Sequence, residues 1–341
     1  MKEIWVAGFP AGDPSKKQMG GGADSELSNQ IDLWRSYDVD VNLVPMFGAD
    51  ANARQYAIQR GCKIHDYKPD VFKNKIVVSY CNGEFLEKLV TEIQDKGRPA
   101  MVCWANCMTY CFPREIEAHR NGLIDLFLFI SNYQESILRP QLEVINPVMS
   151  RLYKVYTNPD VFNFQPGIIT NEVILGRISR DDGNKFAEDT FEIFDRIAAP
   201  RPKRILILGF GSNAKNKLGD PVGCYELHKQ GGISSEEFYR RTHIMVHKTG
   251  GSGESYCRVL IEAYATGTVA VVEDDFAFPE LVQHGKTAYL CRSSDDFVYY
   301  ASKLAYEKQT REKIASLARR YLENEISNRE KCWDSVWKEI L

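Results

Sequence analysis

Residues Gly250 to Glu280 read GGSGESYCRVLIEAYATGTVAVVEDDFAFPE, a glycine-rich loop that runs into an apolar segment and then a Val-rich one. The stretch before it, THIMVHK from Thr242, is β-branched and apolar enough for a buried strand, and TVAVVED from Thr268 is another. The order is strand, loop, helix, strand, the βαβ unit of a parallel sheet. The helix is expected to start near Tyr256 and stop at Thr266, with Gly267 in the left-handed position that ends helices. Gly250, Gly251 and Gly253 then precede a helix N-terminus, whose unpaired N–H groups and positive dipole end attract phosphate. A phosphorylated ligand is expected there.

Glu254 and Glu262 bracket this junction. Eight helical steps give about 12 Å of rise and leave the two carboxylates about 80° apart in projection, so both can face one elongated ligand. Glu254 is expected beyond the phosphates, and Glu262, two turns inside the helix, at hydroxyls on the nucleoside side. The plainer reading of Glu262 is a helix-surface carboxylate. Val259, Leu260, Ile261, Ala263, Tyr264 and Ala265 argue against it, because they make the helix apolar nearly all round and a carboxylate there needs a partner.

Outward from this unit the chain reads as two α/β halves. EIWVAGF is a first strand, Gly20-Gly21-Gly22 leads into a helix around Ser25 to Ser36, and VDVNLVP, KIVVSY, PAMVCW and LFLFIS are further strands. The pattern breaks into turn residues between Asn158 and Gly167, then resumes with EVILGRIS, a helix from Lys185 to Ala198, and the strand RILILGFG. Two doubly wound domains are expected, 1–162 and 163–324. The tail 325–341 is expected to return to the first through Trp333 and Trp337.

A chain of 341 residues with 44% hydrophobic residues suffices for two cores, and a net charge of −3 gives no bias toward nucleic acid or anionic membranes. No apolar run approaches the roughly 20 residues of a spanning helix, so a soluble cytoplasmic protein is expected. Nine cysteines without a secretion signal read as reduced thiols. Cys103, Cys107 and Cys111 repeat every four residues, yet zinc sites use tighter paired spacings, and packing is the expected role.

The combination of Glu254, seven residues, Glu262, a glycine, a Val-rich strand, Phe278-Pro279-Glu280-Leu281-Val282 and His284-Gly285-Lys286-Thr287 resembles the GT-B nucleotide-sugar glycosyltransferases, specifically the retaining family 4. The resemblance extends upstream to Leu175-Gly176-Arg177-Ile178, Lys185 and Gly231-Gly232-Ile233. It implies two Rossmann-like domains facing each other across a cleft, and transfer from a UDP- or GDP-sugar to a hydroxyl with retention and without a metal or other cofactor. Arg177, Lys185 and Glu254 are implied catalytic residues, the two cations stabilising the leaving diphosphate. Arg180 is a substitute cation, because SRDDGN lengthens the usual spacer between Arg177 and Lys185. The donor is implied to meet Gly21, Gly22, Gly232, Ile233, Ser255, Tyr256, Cys257, Arg258 and Glu262. Many family members carry a histidine after the strand matching PAMVCW, where this chain offers Asn106 as its replacement. The acceptor stays open: glycan, lipid, protein, small molecule or modified DNA base.

Two other classes compete. Gly209-Phe210-Gly211-Ser212-Asn213-Ala214 has the G-x-G-x-x-A form of an NAD(P)-dependent oxidoreductase, but KNKLGDPVG after it reads as turn rather than as the helix that fingerprint requires. The missing histidine also suits a non-catalytic nucleotide-sugar-binding protein.

Overall fold

The computed structural model describes residues 2–9, 22–166 and 171–341. The chain divides into two compact units, Met1–Thr157 with Ser327–Leu341, and Asn158–Ile326. The crossing falls at the start of the turn-rich stretch because the next residues are clamped to the second unit. There Arg319 Nη1 donates to the carbonyl oxygens of Pro159, at 2.9 Å, and Ala265, at 2.8 Å. The second of these is one of the carbonyls that a helix end leaves unpaired.

The first unit holds a seven-stranded parallel sheet of β1 (Glu3–Ala7), β2 (Asp40–Val44), β3 (Lys63–Ile64), β4 (Ile76–Tyr80), β5 (Met101–Ala105), β6 (Leu126–Phe129) and β7 (Ser150–Leu152), in the order β3-β2-β1-β4-β5-β6-β7. Its first helix spans Gly22–Arg35, so Gly22 opens it, while Gly20 and Gly21 lie outside the described residues. The C-terminal segment closes this unit. Trp337 is fully buried, its Nε1 donates to Gln30 Oε1 at 3.0 Å, and its ring meets Trp34 edge-on at 4.8 Å. Trp333 stacks flat on Tyr37 at 4.2 Å.

The second unit holds a six-stranded parallel sheet of β8 (Val173–Ile178), β9 (Lys203–Leu208), β10 (Tyr225–His228), β11 (Ile244–His247), β12 (Val269–Glu273) and β13 (Tyr289–Cys291), in the order β10-β9-β8-β11-β12-β13. Both faces are covered, as the unbroken apolar runs require. Leu175, Ile205, Ile207, Val246 and Val271 point into one core, and their chain neighbours Ile174, Leu206, Leu208, Met245 and Val272 into the other. The helix Arg258–Thr266 lies on the second face and ends on Gly267 at φ +88°, where the expected left-handed residue is found. Among the described residues no helix is long and apolar enough to cross a membrane.

The burial of Trp337 sets an expectation for stability. Trp337→Ala should cost about 3–5 kcal/mol in urea unfolding, the cost of emptying a large core site. An unchanged midpoint would mean that the C-terminal segment does not help hold the first unit.

Candidate active site

At the centre of the second sheet β8 and β11 lie side by side, and the chain leaves them for opposite edges. Open α/β sheets bind ligands outside the carboxyl ends of the strands at such a reversal. Arg177 stands next to the end of β8 and His247 is the last residue of β11, so a guanidinium and an imidazole stand at this reversal.

Arg177 is only 1% exposed. Its Nη1 donates to His247 Nδ1 and its Nη2 to the Lys185 carbonyl oxygen, while Nε has no partner. A guanidinium only donates, so His247 Nδ1 accepts and the neutral ring carries its proton on Nε2. The ring is neutral because burial, and then the adjacent Arg177 charge, push its pKa down to about 4. Nε2 is buried without a hydrogen-bond partner, and Glu254 Oε1 lies 3.8 Å away, beyond bonding range. Lys185 Nζ reaches the same Oε1 at 2.7 Å. Burial opposes the ionisation of Glu254, but the His247 ring and the Lys185 ammonium outweigh it and bring its pKa to about 2. Two cations and one carboxylate therefore meet at the head of the crevice. Burial lowers the Arg177 pKa to about 10, which leaves it charged at neutral pH.

The glycine loop builds this cluster by backbone packing. Asp182 Oδ1 accepts from Asn184 N at 2.9 Å and starts a short 3-10 turn, Gly183–Lys185. The expected helix from Lys185 thus begins later, at Thr190–Arg196, and Lys185 sits in a turn. Gly250 N and Ser252 N both donate to the Asn184 carbonyl oxygen, at 3.0 and 3.3 Å. A Cβ on Gly250 would lie 2.1 Å from the Phe186 carbonyl oxygen, so only glycine allows the two segments to meet. Further along, Ala277 N donates to the Glu254 carbonyl oxygen at 3.1 Å, and Thr249 N to Glu273 Oε1 at 3.0 Å.

The helix starts at Arg258, after the cap residue Cys257, and not near Tyr256. Glu254 is a loop residue, as expected, but the projection of eight helical steps does not apply, and Glu262 stands one turn inside the helix rather than two. Its partner is Arg258, whose Nη2 lies 3.2 Å from Glu262 Oε1. Burial raises the Glu262 pKa and the Arg258 charge partly offsets it.

The remaining expected residues are dispersed. Arg180 is exposed on an open polar concavity with Asp182, Asn213 and Gln230. Gly232 closes a turn by donating to the Lys229 carbonyl oxygen at 2.8 Å, and Ile233 packs half-buried on the helix-side core. Ser255 and Cys257 are buried and Tyr256 packs against the same core. Asn106 belongs to the first unit, as does Gly22, and its amide is committed to the fold. Its Nδ2 donates to the Tyr110 carbonyl oxygen at 2.9 Å and to Glu115 Oε2 at 2.8 Å, and its Oδ1 accepts from Met108 N at 2.8 Å. Gly21 lies outside the described residues. Among the described residues no group of three His, Cys, Asp or Glu side chains is arranged to hold a metal, Cys103, Cys107 and Cys111 included. Sequence reasoning missed His247. The signal was a titratable residue ending an otherwise apolar strand.

The Gly209–Ala214 loop corrects another expectation, since it runs directly into the helix Ser212–Leu218. The head of that helix is nevertheless taken: Asp181 accepts from Ala214 N at 2.9 Å and from Asn213 N at 3.3 Å. A dinucleotide pyrophosphate would need the seat this carboxylate fills. The next strand, β10, ends on His228 and not on an acid.

Residues 158–321 match the family of Glycosyl transferases group 1, a span that nearly coincides with the second unit. The fold is that of solved glycosyltransferase structures across the whole chain. Anabaena Alr3699/HepE in complex with UDP-glucose superimposes with a TM-score of 0.71 at 15% identity, covering 99% of both chains. TarM gives 0.75 at 12% identity, covering 99% of this chain and 98% of that one. Sucrose-phosphate synthase from Thermosynechococcus elongatus gives 0.67 at 13% identity, covering 100% and 99%. The second unit matches the Glycosyl transferases group 1 family, and the whole chain has the fold of these GT-B glycosyltransferase structures. No curated protein sequence matches it.

The buried imidazole gives this protein an acid sensitivity. The folded pKa of His247, about 4, lies below the roughly 6.5 of an unfolded histidine, so the unfolded chain binds the proton first. The stability it confers is full above about pH 6.5 and is lost as pH falls through the folded value, about 3 kcal/mol in all. Urea unfolding of wild type between pH 7 and 4 should show that loss, and His247→Gln should flatten it.

Proposed function

We propose that the second unit binds a nucleoside-diphosphate sugar, UDP- or GDP-linked, and that the enzyme transfers the sugar to a hydroxyl acceptor with retention of configuration and without a divalent metal. The observation that carries this reading is the Lys185–Glu254 pair set over the buried Arg177–His247 contact at the β8–β11 reversal, with Glu262 one helical turn away. Breaking the glycosidic bond leaves negative charge on the diphosphate, and fixed cations aimed at it lower the barrier. Lys185 is the cation within reach of the phosphates. Arg177 adds its field from behind and holds the Lys185 backbone by bonding its carbonyl.

In this reading the N-terminal end of the helix Arg258–Thr266 faces phosphate, and Glu262 accepts from the hydroxyls of the nucleoside. Ser255, Tyr256 and Cys257 line the approach through backbone N–H groups, and the Gly232–Ile233 turn meets the base. The UDP and UDP-glucose of the HepE complexes are in keeping with such a donor. The nine cysteines are free thiols, which suits a reducing compartment, and the proposed setting is the cytoplasm. Asn106 favours a second reading, a nucleotide-sugar-binding protein that does not turn over, because its amide is already spent on the fold.

A thermal-shift screen across UDP- and GDP-sugars, followed by radiolabelled transfer, separates these readings: stabilisation with release of nucleotide supports the transferase, and stabilisation without release supports the binder. Glu262→Ala should weaken nucleoside diphosphate binding about tenfold, the loss of one hydrogen bond to a charged group. Lys185→Ala should lower kcat by about a hundredfold or more. Unaltered kinetics in both variants would overturn the assignment.

A further inference from the structure

The arrangement at Glu254 leaves one donor, the His247 Nε2–H, beside the carboxylate but outside hydrogen-bond distance. His247 is 2% exposed and its Nε2 is enclosed, so an entering ligand has no route to that atom. Its proton is nevertheless fixed there by the Arg177 bond to Nδ1. The nearest acceptor is Glu254 Oε1 at 3.8 Å, which Lys185 Nζ holds at 2.7 Å. A carboxylate shift of about 1 Å brings Oε1 within hydrogen-bond distance of Nε2.

The need for such a shift follows from charge. A diphosphate that reaches Lys185 brings two or more negative charges against a carboxylate already there. Glu254 is 14% exposed and has little water to fall back on. Displaced into a site without a donor, it would be a buried unpaired charge, which is costly. We infer that Glu254 is a two-position carboxylate, paired with Lys185 while the crevice is empty and with the His247 Nε2–H when a diphosphate takes the lysine. Arg177 and His247 are positioning residues in this exchange. Arg177 acts through His247 by setting its tautomer, and His247 acts through Glu254 by receiving it.

This inference rests on the nucleoside-diphosphate reading above, and the two fail differently. The exchange is needed only for ligands that carry phosphate. His247→Phe keeps a ring in the pocket and removes the donor, so it should weaken UDP or GDP binding about tenfold to a hundredfold in calorimetry and leave binding of the matching nucleoside unchanged. His247→Gln offers an amide N–H and should recover affinity to within about threefold. Equal diphosphate affinity in wild type and His247→Phe overturns the exchange and leaves the donor reading standing. A wild type that binds neither UDP nor GDP overturns both. Should the phenylalanine variant not fold, imidazole nitrogen NMR on wild type decides. Addition of the bound diphosphate should move the His247 Nε2–H signal to a hydrogen-bonded position, and an unmoved signal overturns the proposal.

Discussion

A charged guanidinium sealed at the end of a parallel strand is the constraint from which the candidate site follows. Taking an arginine out of water costs several kcal/mol unless its donors are met. Arg177 meets that cost with two acceptors from different segments, the His247 ring and the Lys185 carbonyl. Satisfying the arginine therefore fixes the distance from β8 to the end of β11 and pins the turn that carries the lysine. The Lys185 ammonium is delivered to Glu254 because its backbone has no other place to be. The glycine loop completes the enclosure, since Gly250 lets the Asn184 carbonyl take two further N–H groups.

Periodicity alone made most of the fold legible. Alternating residues of β8, β9 and β11 sort into opposite cores, and that pattern is readable as soon as a strand is recognised as buried on both faces. The end of the helix Arg258–Thr266 was equally plain, because a glycine able to take positive φ follows its last apolar residue. Its beginning was not. Nothing in the composition of Ser255, Tyr256 and Cys257 says that they extend the loop; what holds them out of the helix is the tie from Ala277 to the Glu254 carbonyl, a contact 23 residues away in sequence. The turn at Lys185 was hidden for the same reason: the run from Lys185 has helical composition, and only the Asp182 cap and the loop at Gly250 stop it from starting there.

The site residues divide along the same line. Glu254 and Glu262 stood out by their place at a helix head, Arg177 by its place at a strand end and Lys185 through the family resemblance, and the fold brings Arg177, Lys185 and Glu254 together. His247 was invisible because its role comes from a cross-strand neighbour: β11 and β8 are adjacent in space but separated by β9 and β10 in the chain. Asn106 shows the converse. It follows a strand end as a ligand-binding residue would, yet the amide is consumed within its own loop, and no spacing reveals that Glu115 and Tyr110 are its partners. The Gly209–Ala214 fingerprint was undone in the same way, by an aspartate from the neighbouring β8 loop seated at the helix head.

In the proposed reading, electrostatics explain why a carboxylate stands among cations assigned to phosphate. Without Glu254, the empty site would hold two positive charges within a region largely closed to water, and like charges in that setting repel strongly. Arg177 is already depressed by burial, and an unneutralised lysine beside it would add to the penalty. Glu254 balances the empty state. Under the proposed function a diphosphate would perform the same neutralisation, so the field that stabilises the folded protein would also select the ligand. On that reading, binding an anion would need no preformed vacancy around a bare ammonium, only somewhere for the resident carboxylate to go.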